Sequence, residues 1–272
     1  SIKDASMIAP YYGLHFETNQ TRIRPENIKI AQAILLTTKQ ESFAKIAQEV
    51  GEALWGNDLD RLKALQKNTS MISNEEIAKR ISENNRKQKQ LGHYFGGVFA
   101  YEGECYWNID RLPFLEERLI ALGANKSNQS SILKRKSSTD KLQSIISGMT
   151  LEVIFSARSP YSYLALPQLI EFRKKFPVKI VYRPILPMVM RGMTINREKQ
   201  LYIVHDCKRV ADKKGIPFGN IADPLGKAVE RCYSLFQHVQ ENGKEEEYFS
   251  TFLKAVWAEG QHGYLTKTLK NI

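Results

Sequence analysis

The sequence predicts an α/β protein present as two partial or complementary units. Three observations carry this. Residues 150–272 read as strand–helix–strand followed by long helices. Residues 1–123 read as helices followed by a strand pair and one more helix. Residue identities recur between the two parts at one fixed displacement. The segment DASMIAPYYGLHF (4–16) faces DCKRVADKKGIPF (206–218), matching Asp4 to Asp206, Ala9 to Ala211, Gly13 to Gly215 and Phe16 to Phe218. Further on, EVGEALWGND (49–58) faces TFLKAVWAEG (251–260), matching Ala53 to Ala255 and Trp55 to Trp257. Every pair is 202 positions apart. That period is too long for a solenoid repeat and has the size of a whole domain.

The elements follow in order. Residues 3–13 show helical spacing and stop at Gly13, a C-terminal signal. Residues 26–37 and 41–55 read as amphipathic helices, the second with Phe43, Ile46, Ala47, Val50 and Leu54 on one face. Helices at 58–66 and 74–90 follow, the latter with Ser73 and Glu76 spaced as a capping box. The aromatic and β-branched stretch 96–110 turns at Glu102-Gly103, which signals a β-hairpin. Asp110 then opens a helix that closes at Gly123. The stretch 124–149 is polar. It carries Lys126, Lys134, Arg135, Lys136 and Lys141 against Asp140, and reads as a basic linker. Residues 150–156 form a strand, Ser159-Pro160 starts a helix to about Phe176, and 178–183 form a second strand. This is a parallel pair with a right-handed crossover. Helices at 197–214, 224–241 and 244–258 complete the chain, and Trp55 and Trp257 are expected in the core.

The assignments are therefore 1–123, the back part of a unit; 124–149, a linker; and 150–272, the front part of a second unit. If the two are copies, the parent order is β–α–β–helices–β–β–α, a thioredoxin-like fold with a helical insertion. Two arrangements stay open: a window across two tandem domains, or two pieces that complete one circularly permuted domain.

Bulk properties narrow the function classes. At 42% hydrophobic and 25% charged residues the chain is expected to be globular. No apolar run reaches the roughly 18 residues of a membrane helix, and residues 1–10 lack the apolar core of a signal peptide. The three cysteines form no CxxC pair, and reduced thiols suit a cytoplasmic protein. The five histidines show no metal-ligand spacing, so no metal is expected. The formal charge of +11 is not concentrated in an Arg-rich helix or zinc-finger motif. Nucleic-acid binding would rest on net charge alone.

The segments SARSPYSYLALPQL (156–169), YRPILP (182–187), KQLYIVHDCKRVADKKGIPF (199–218) and FLKAVWAEG (252–260) carry a resemblance. They resemble the glutathione-using branch of the DsbA-like thioredoxin-fold proteins, that of 2-hydroxychromene-2-carboxylate isomerase and kappa-class glutathione transferase. GHYFGGVFAYEGECYWNIDRLPFLEERL (92–119) resembles the hairpin and last helix of the same fold, and the family includes tandem two-domain members. Ser159-Pro160-Tyr161-Ser162 stands where disulfide oxidoreductases carry CxxC, so dithiol chemistry is excluded at this junction.

The resemblance implies that the Ser159 hydroxyl donates to a glutathione thiolate. A helix N-terminus favours such an anion, although Ser-Pro is equally an ordinary N-cap with proline at N1. It implies that Asp110 and Arg111 hold the γ-glutamyl end, while Asp110 could equally cap the last helix. It also points to Asn196 in a glutathione-binding loop, and Arg183 ends a strand near the expected site, where it could meet a carboxylate or equally serve on the surface. Two departures stand out. Ile109 replaces a small polar residue or glycine, and Phe95-Gly96-Gly97-Val98 has no proline where the family has a cis-proline. The expected cofactor is glutathione, with a small electrophilic substrate. The expected activity is isomerase-like or transferase-like, and a homodimer is an open arrangement. The alternative is a catalytically inactive binding module.

Overall fold

A computed structural model of the chain describes residues 2–14, 16, 23–126 and 148–270. The expected linker falls outside the described residues over 127–147. The chain forms two compact units, Ser1–Gln88 and Lys89–Ile272. The hairpin and last helix of the first sequence segment therefore pack in space with residues 150–272. The repeat draws its boundary by sequence likeness; the packing draws it by contact.

In the first unit, α1 (Ile2–Ile8) runs into a 3-10 turn, Ala9–Tyr12. Gly13 closes it in the left-handed region, where a side chain would be strained. Helices α2 (Pro25–Thr37), α3 (Phe43–Trp55), α4 (Leu59–Gln66) and α5 (Asn74–Gln90) follow. Each start has a local reason. Pro25 sits at N1 of α2, and the Asp58 carboxylate accepts the Arg61 N–H at 2.9 Å to cap α4. Ser73 Oγ accepts the Glu76 N–H at 3.2 Å, but the Glu76 carboxylate turns to Arg80, so half of the expected capping box forms. Ala31, Ile34, Val50, Ala53 and Leu62 make a small core.

In the second unit, β1 (Val98–Tyr101) and β2 (Glu104–Trp107) pair antiparallel. Glu102 and Gly103 both take positive φ, as a two-residue hairpin turn requires. A 3-10 turn, Ile109–Arg111, leads into α6 (Leu112–Ala121). Next come β3 (Thr150–Phe155), α7 (Pro160–Lys175) and β4 (Lys179–Pro184). The two strands pair parallel from Thr150↔Lys179 to Phe155↔Pro184, as the sequence predicts. The rest is helical: α8 (Arg197–Lys214), α9 (Lys227–Ser234), α10 (Phe236–Glu241), α11 (Glu245–Trp257) and α12 (Thr266–Lys270).

The core of this unit lies between one face of the parallel pair, α7 and α11. Phe155 and Tyr182 from the strands meet Leu166 of α7 and Phe249, Phe252, Leu253 and Val256 of α11. Burying each of the large apolar side chains contributes about 1.5–3 kcal/mol. The opposite face is open, and Ile154 is 63% exposed there. Among the described residues, hairpin and parallel pair form two separate two-stranded sheets. The hairpin does not extend β3.

Residues matched at the 202-position displacement occupy like settings within each unit. Gly13 and Gly215 both end a helical segment in the left-handed region, at φ 66° and 64°. Ala9 and Ala211 are both buried, as are Ala53 and Ala255. The Phe16–Trp55 ring centroids are 5.7 Å apart and those of Phe218–Trp257 5.9 Å. One expectation is corrected: Trp257 is core at 5% exposure, but Trp55 is 46% exposed. The reason lies one turn back on the same helix face. Leu253 packs with Phe155 and Leu166 in the core, whereas the matched Gly51 has open space at its Cβ position.

Candidate functional site

The predicted site centres on the start of α7, at the C-terminal end of the parallel strands, where α/β folds place ligands. Ser159 is the N-cap. Its Oγ accepts the Ser162 N–H at 3.3 Å, and Ser162 Oγ in turn accepts the Ser156 N–H at 3.4 Å. Among the described residues the Ser159 hydroxyl proton has no acceptor. Pro160 at N1 removes one N–H that would otherwise need a partner. The first turn holds no acidic side chain of its own, while Arg173, Lys174 and Lys175 lie in the last turn, where they complement the negative end of the helix dipole.

Tyr233 fixes the shape of the neighbouring loops. Its hydroxyl accepts the Ala157 N–H at 2.8 Å and donates to the Ile185 carbonyl at 2.8 Å. Burial pushes this phenol up to about 12, so it stays a neutral bridge. The bridge ties the β3–α7 loop to the chain leaving β4, where Leu186, Met188, Val189 and Met193 are exposed. These four side chains form an exposed apolar strip on the chain that leaves β4. Arg158 is turned away into a two-pronged pair with Asp223, at 2.8 and 2.7 Å.

One residue the sequence reading used only as a repeat marker organises the other side. Asp206, 1% exposed on α8, accepts from Arg111 Nε at 2.8 Å and Nη2 at 2.8 Å. It also accepts from the Tyr161 hydroxyl at 2.9 Å and from Arg209 at 3.1 Å. Burial alone would lower the Arg111 pKa, but the Asp206 hydrogen bonds and charge hold it above its usual value. Burial and the Asp206 charge push the Tyr161 phenol far up and Tyr202 up to about 12. Asp206 brings Arg111 and the Ser159 helix to one point. A signal was present: Tyr202, Asp206 and Arg209 fall on one helix face at four- and three-residue spacing.

The other predicted residues spread out. Asp110 lies exposed in the 3-10 turn beside Arg111. Asn196 caps α8, its Oδ1 accepting the Lys199 N–H at 2.9 Å. Arg183 lies on the sheet, half exposed, and pairs with Glu152 across the two strands at 2.6 Å. Cys105 is partly buried on the hairpin; burial pushes its thiol up more than Arg209 lowers it. Among the described residues no three His, Cys, Asp or Glu side chains cluster as a metal site. A groove of about 840 Å³ runs between Leu91 and Cys105 on one side and Arg197, Leu201 and His205 on the other, and contains none of the predicted site residues.

A β–α–β unit with a serine-capped crossover helix and a block of inserted helices is thus complete over β3 to α12. Residues 150–272 match the family model of the DSBA-like thioredoxin domain. No curated protein and no solved structure matched the chain. In the matched segment the crossover helix begins Ser159-Pro160-Tyr161-Ser162, with no cysteine in the first turn. The segment's cysteines, Cys207 and Cys232, are both fully buried, with thiols pushed up chiefly by burial, Cys232 to about 12. No helix among the described residues is long and apolar enough to cross a membrane.

Proposed function

We propose that the chain is a glutathione-dependent isomerase- or transferase-like protein whose Ser159 hydroxyl stabilises the glutathione thiolate. The observation that carries this reading is the Ser159 hydroxyl itself. Its oxygen is engaged in capping α7 through Ser162, and among the described residues its proton has no acceptor, which leaves it available to an anion. Capping and anion binding, alternatives in the sequence, are compatible in this geometry. Glutathione supplies a thiolate that adds to a conjugated electrophile, then leaves after isomerisation or stays after conjugation.

The chain's own residues bind and orient. The N-terminal end of α7, with the Tyr161 N–H and the Ser159 O–H, favours the ionised sulfur. The strip from Leu186 to Met193 offers an apolar seat for a small electrophilic substrate. Asp110 and Arg111 would face the γ-glutamyl end, because Arg111 is tethered beside Tyr161. The Asn196 amide NH2 donates to no described residue and remains open to a ligand. Arg183 would serve only by leaving Glu152. The matched settings at the 202-position displacement support a tandem duplication, and the unpaired thiols support a cytoplasmic setting.

A second reading is favoured by one observation. Among the described residues no strand pairs with the outer edge of β3, and the first turn of α7 carries no cysteine. A binding module without catalysis fits that. Titration with glutathione separates the two: the first reading expects saturable binding that Ser159→Ala weakens about tenfold or more.

A further inference from the structure

We infer that Asp206 is a positioning residue for the Ser159 site, holding the first turn of α7 through Tyr161 and tying it to Arg111. The inference rests on reading Ser159 as an anion-binding position.

The hydrogen bonds around the first turn differ in strength. Those made locally, Ser162 N–H to Ser159 and Ser156 N–H to Ser162, are long at 3.3 and 3.4 Å. The Tyr161 hydroxyl reaches Asp206 at 2.9 Å and ends on an ionised acceptor, which roughly doubles the strength of such a bond. Among the side-chain hydrogen bonds made by Ser159, Tyr161 and Ser162, the one that reaches α8 is therefore the shortest, and it ends on a charge. Tyr161 stands two residues after Ser159, so a shift there moves the cap and the Tyr161 N–H together.

The same carboxylate takes the guanidinium of Arg111, with Nε within 3.0 Å of both oxygens and Nη2 at 2.8 Å. Segment 109–111 is thereby held against α7 through one shared anion. Arg209, also on Asp206, continues to the Cys105 carbonyl at 3.2 Å and to Glu104 at 3.3 Å on the hairpin. Tyr202 adds a bond from its hydroxyl to the Trp107 backbone: it accepts that N–H at 3.2 Å. A buried carboxylate is costly unless its lone pairs are filled. Here they are filled by groups from the two segments that flank the proposed site.

The test reads the electrostatics at the cap without glutathione. In a Ser159→Cys protein the thiol sits at the helix N-terminus, and its pKa is expected below the ordinary value of about 8.5. The pH profile of alkylation measures it. Adding Tyr161→Phe removes one hydroxyl and no charge; alkylation at pH 7 is expected to slow about threefold or more. Adding Asp206→Asn gives a sign test. Loss of a nearby negative charge by itself would favour the thiolate and speed alkylation, whereas loss of positioning slows it. Slowing in Tyr161→Phe, and in Asp206→Asn where that variant folds, supports the inference. Alkylation in Tyr161→Phe as fast as in Ser159→Cys alone overturns it. An ordinary thiol pKa in Ser159→Cys itself overturns the anion-site reading, and the inference with it.

Discussion

Asp206 and His93 are the two buried polar side chains on which the second unit most depends. Removing the Asp206 carboxylate leaves Arg111 and Arg209 without their shared anion. Breaking a buried pair in this way costs about 3–5 kcal/mol, so Asp206→Ala should sharply lower the denaturation midpoint. His93 is 2% exposed, with Nδ1 accepting the Phe95 N–H at 3.1 Å and Nε2 buried with no partner among the described residues. Burial lowers its pKa more than the Phe95 carbonyl raises it. The neutral ring is thus the native form. Stability is full above the unfolded-state value near 6.5 and declines as the pH falls below it toward the folded value. Urea titrations at pH 7.5 and 5.5 should show the loss, and a His93→Gln variant should show less of it. Ser159 was legible at this scale because Ser-Pro is a local signal. For Asp206 the sequence showed the helix face shared with Tyr202 and Arg209 but not its partners Arg111 and Tyr161, which lie 95 and 45 residues away.

At the scale of elements, local chemistry marked what local chemistry decides. Asn196 caps α8 and Gly215 ends it, and the helix spans 197–214 as read from the sequence. The hairpin turn, the parallel pair and α7 were legible for the same reason. The stretch 224–241, read as one helix, is instead α9 and α10 with a break at Leu235. No glycine or proline marks that break. The Cys232 carbonyl accepts the Tyr248 hydroxyl at 2.9 Å, a contact sequence spacing cannot show. Packing around α11 is equally non-local. A Cβ on Gly263 would come within 3.0–3.2 Å of the Phe252 ring and Ala228. Gly263→Ala should therefore cost about 1–3 kcal/mol by overpacking, and Phe252→Ala about 3–5 kcal/mol by leaving a cavity. Thermal melts of both variants check this.

Across the whole molecule, the order of parts was legible and their grouping was not. The 202-position displacement separates 1–123 from 150–272, yet the hairpin packs on α8 through Arg111, Arg209 and Tyr202. Those are tertiary bonds with no pattern in the sequence. The exposure of Trp55 belongs to the same class. Chemistry at this scale follows from the first turn of α7. With serines at 159 and 162 the chain should not reduce insulin disulfides. The double substitution Ser159→Cys, Ser162→Cys places two thiols at CxxC spacing on a helix N-terminus and should confer that activity.

The most direct test of the account is calorimetric titration of the chain with glutathione, the parent beside Ser159→Ala. The account predicts saturable binding to the parent, weakened about tenfold or more by the loss of one hydroxyl. Absence of binding to the parent, or equal affinity in the two proteins, would contradict a thiolate site at Ser159.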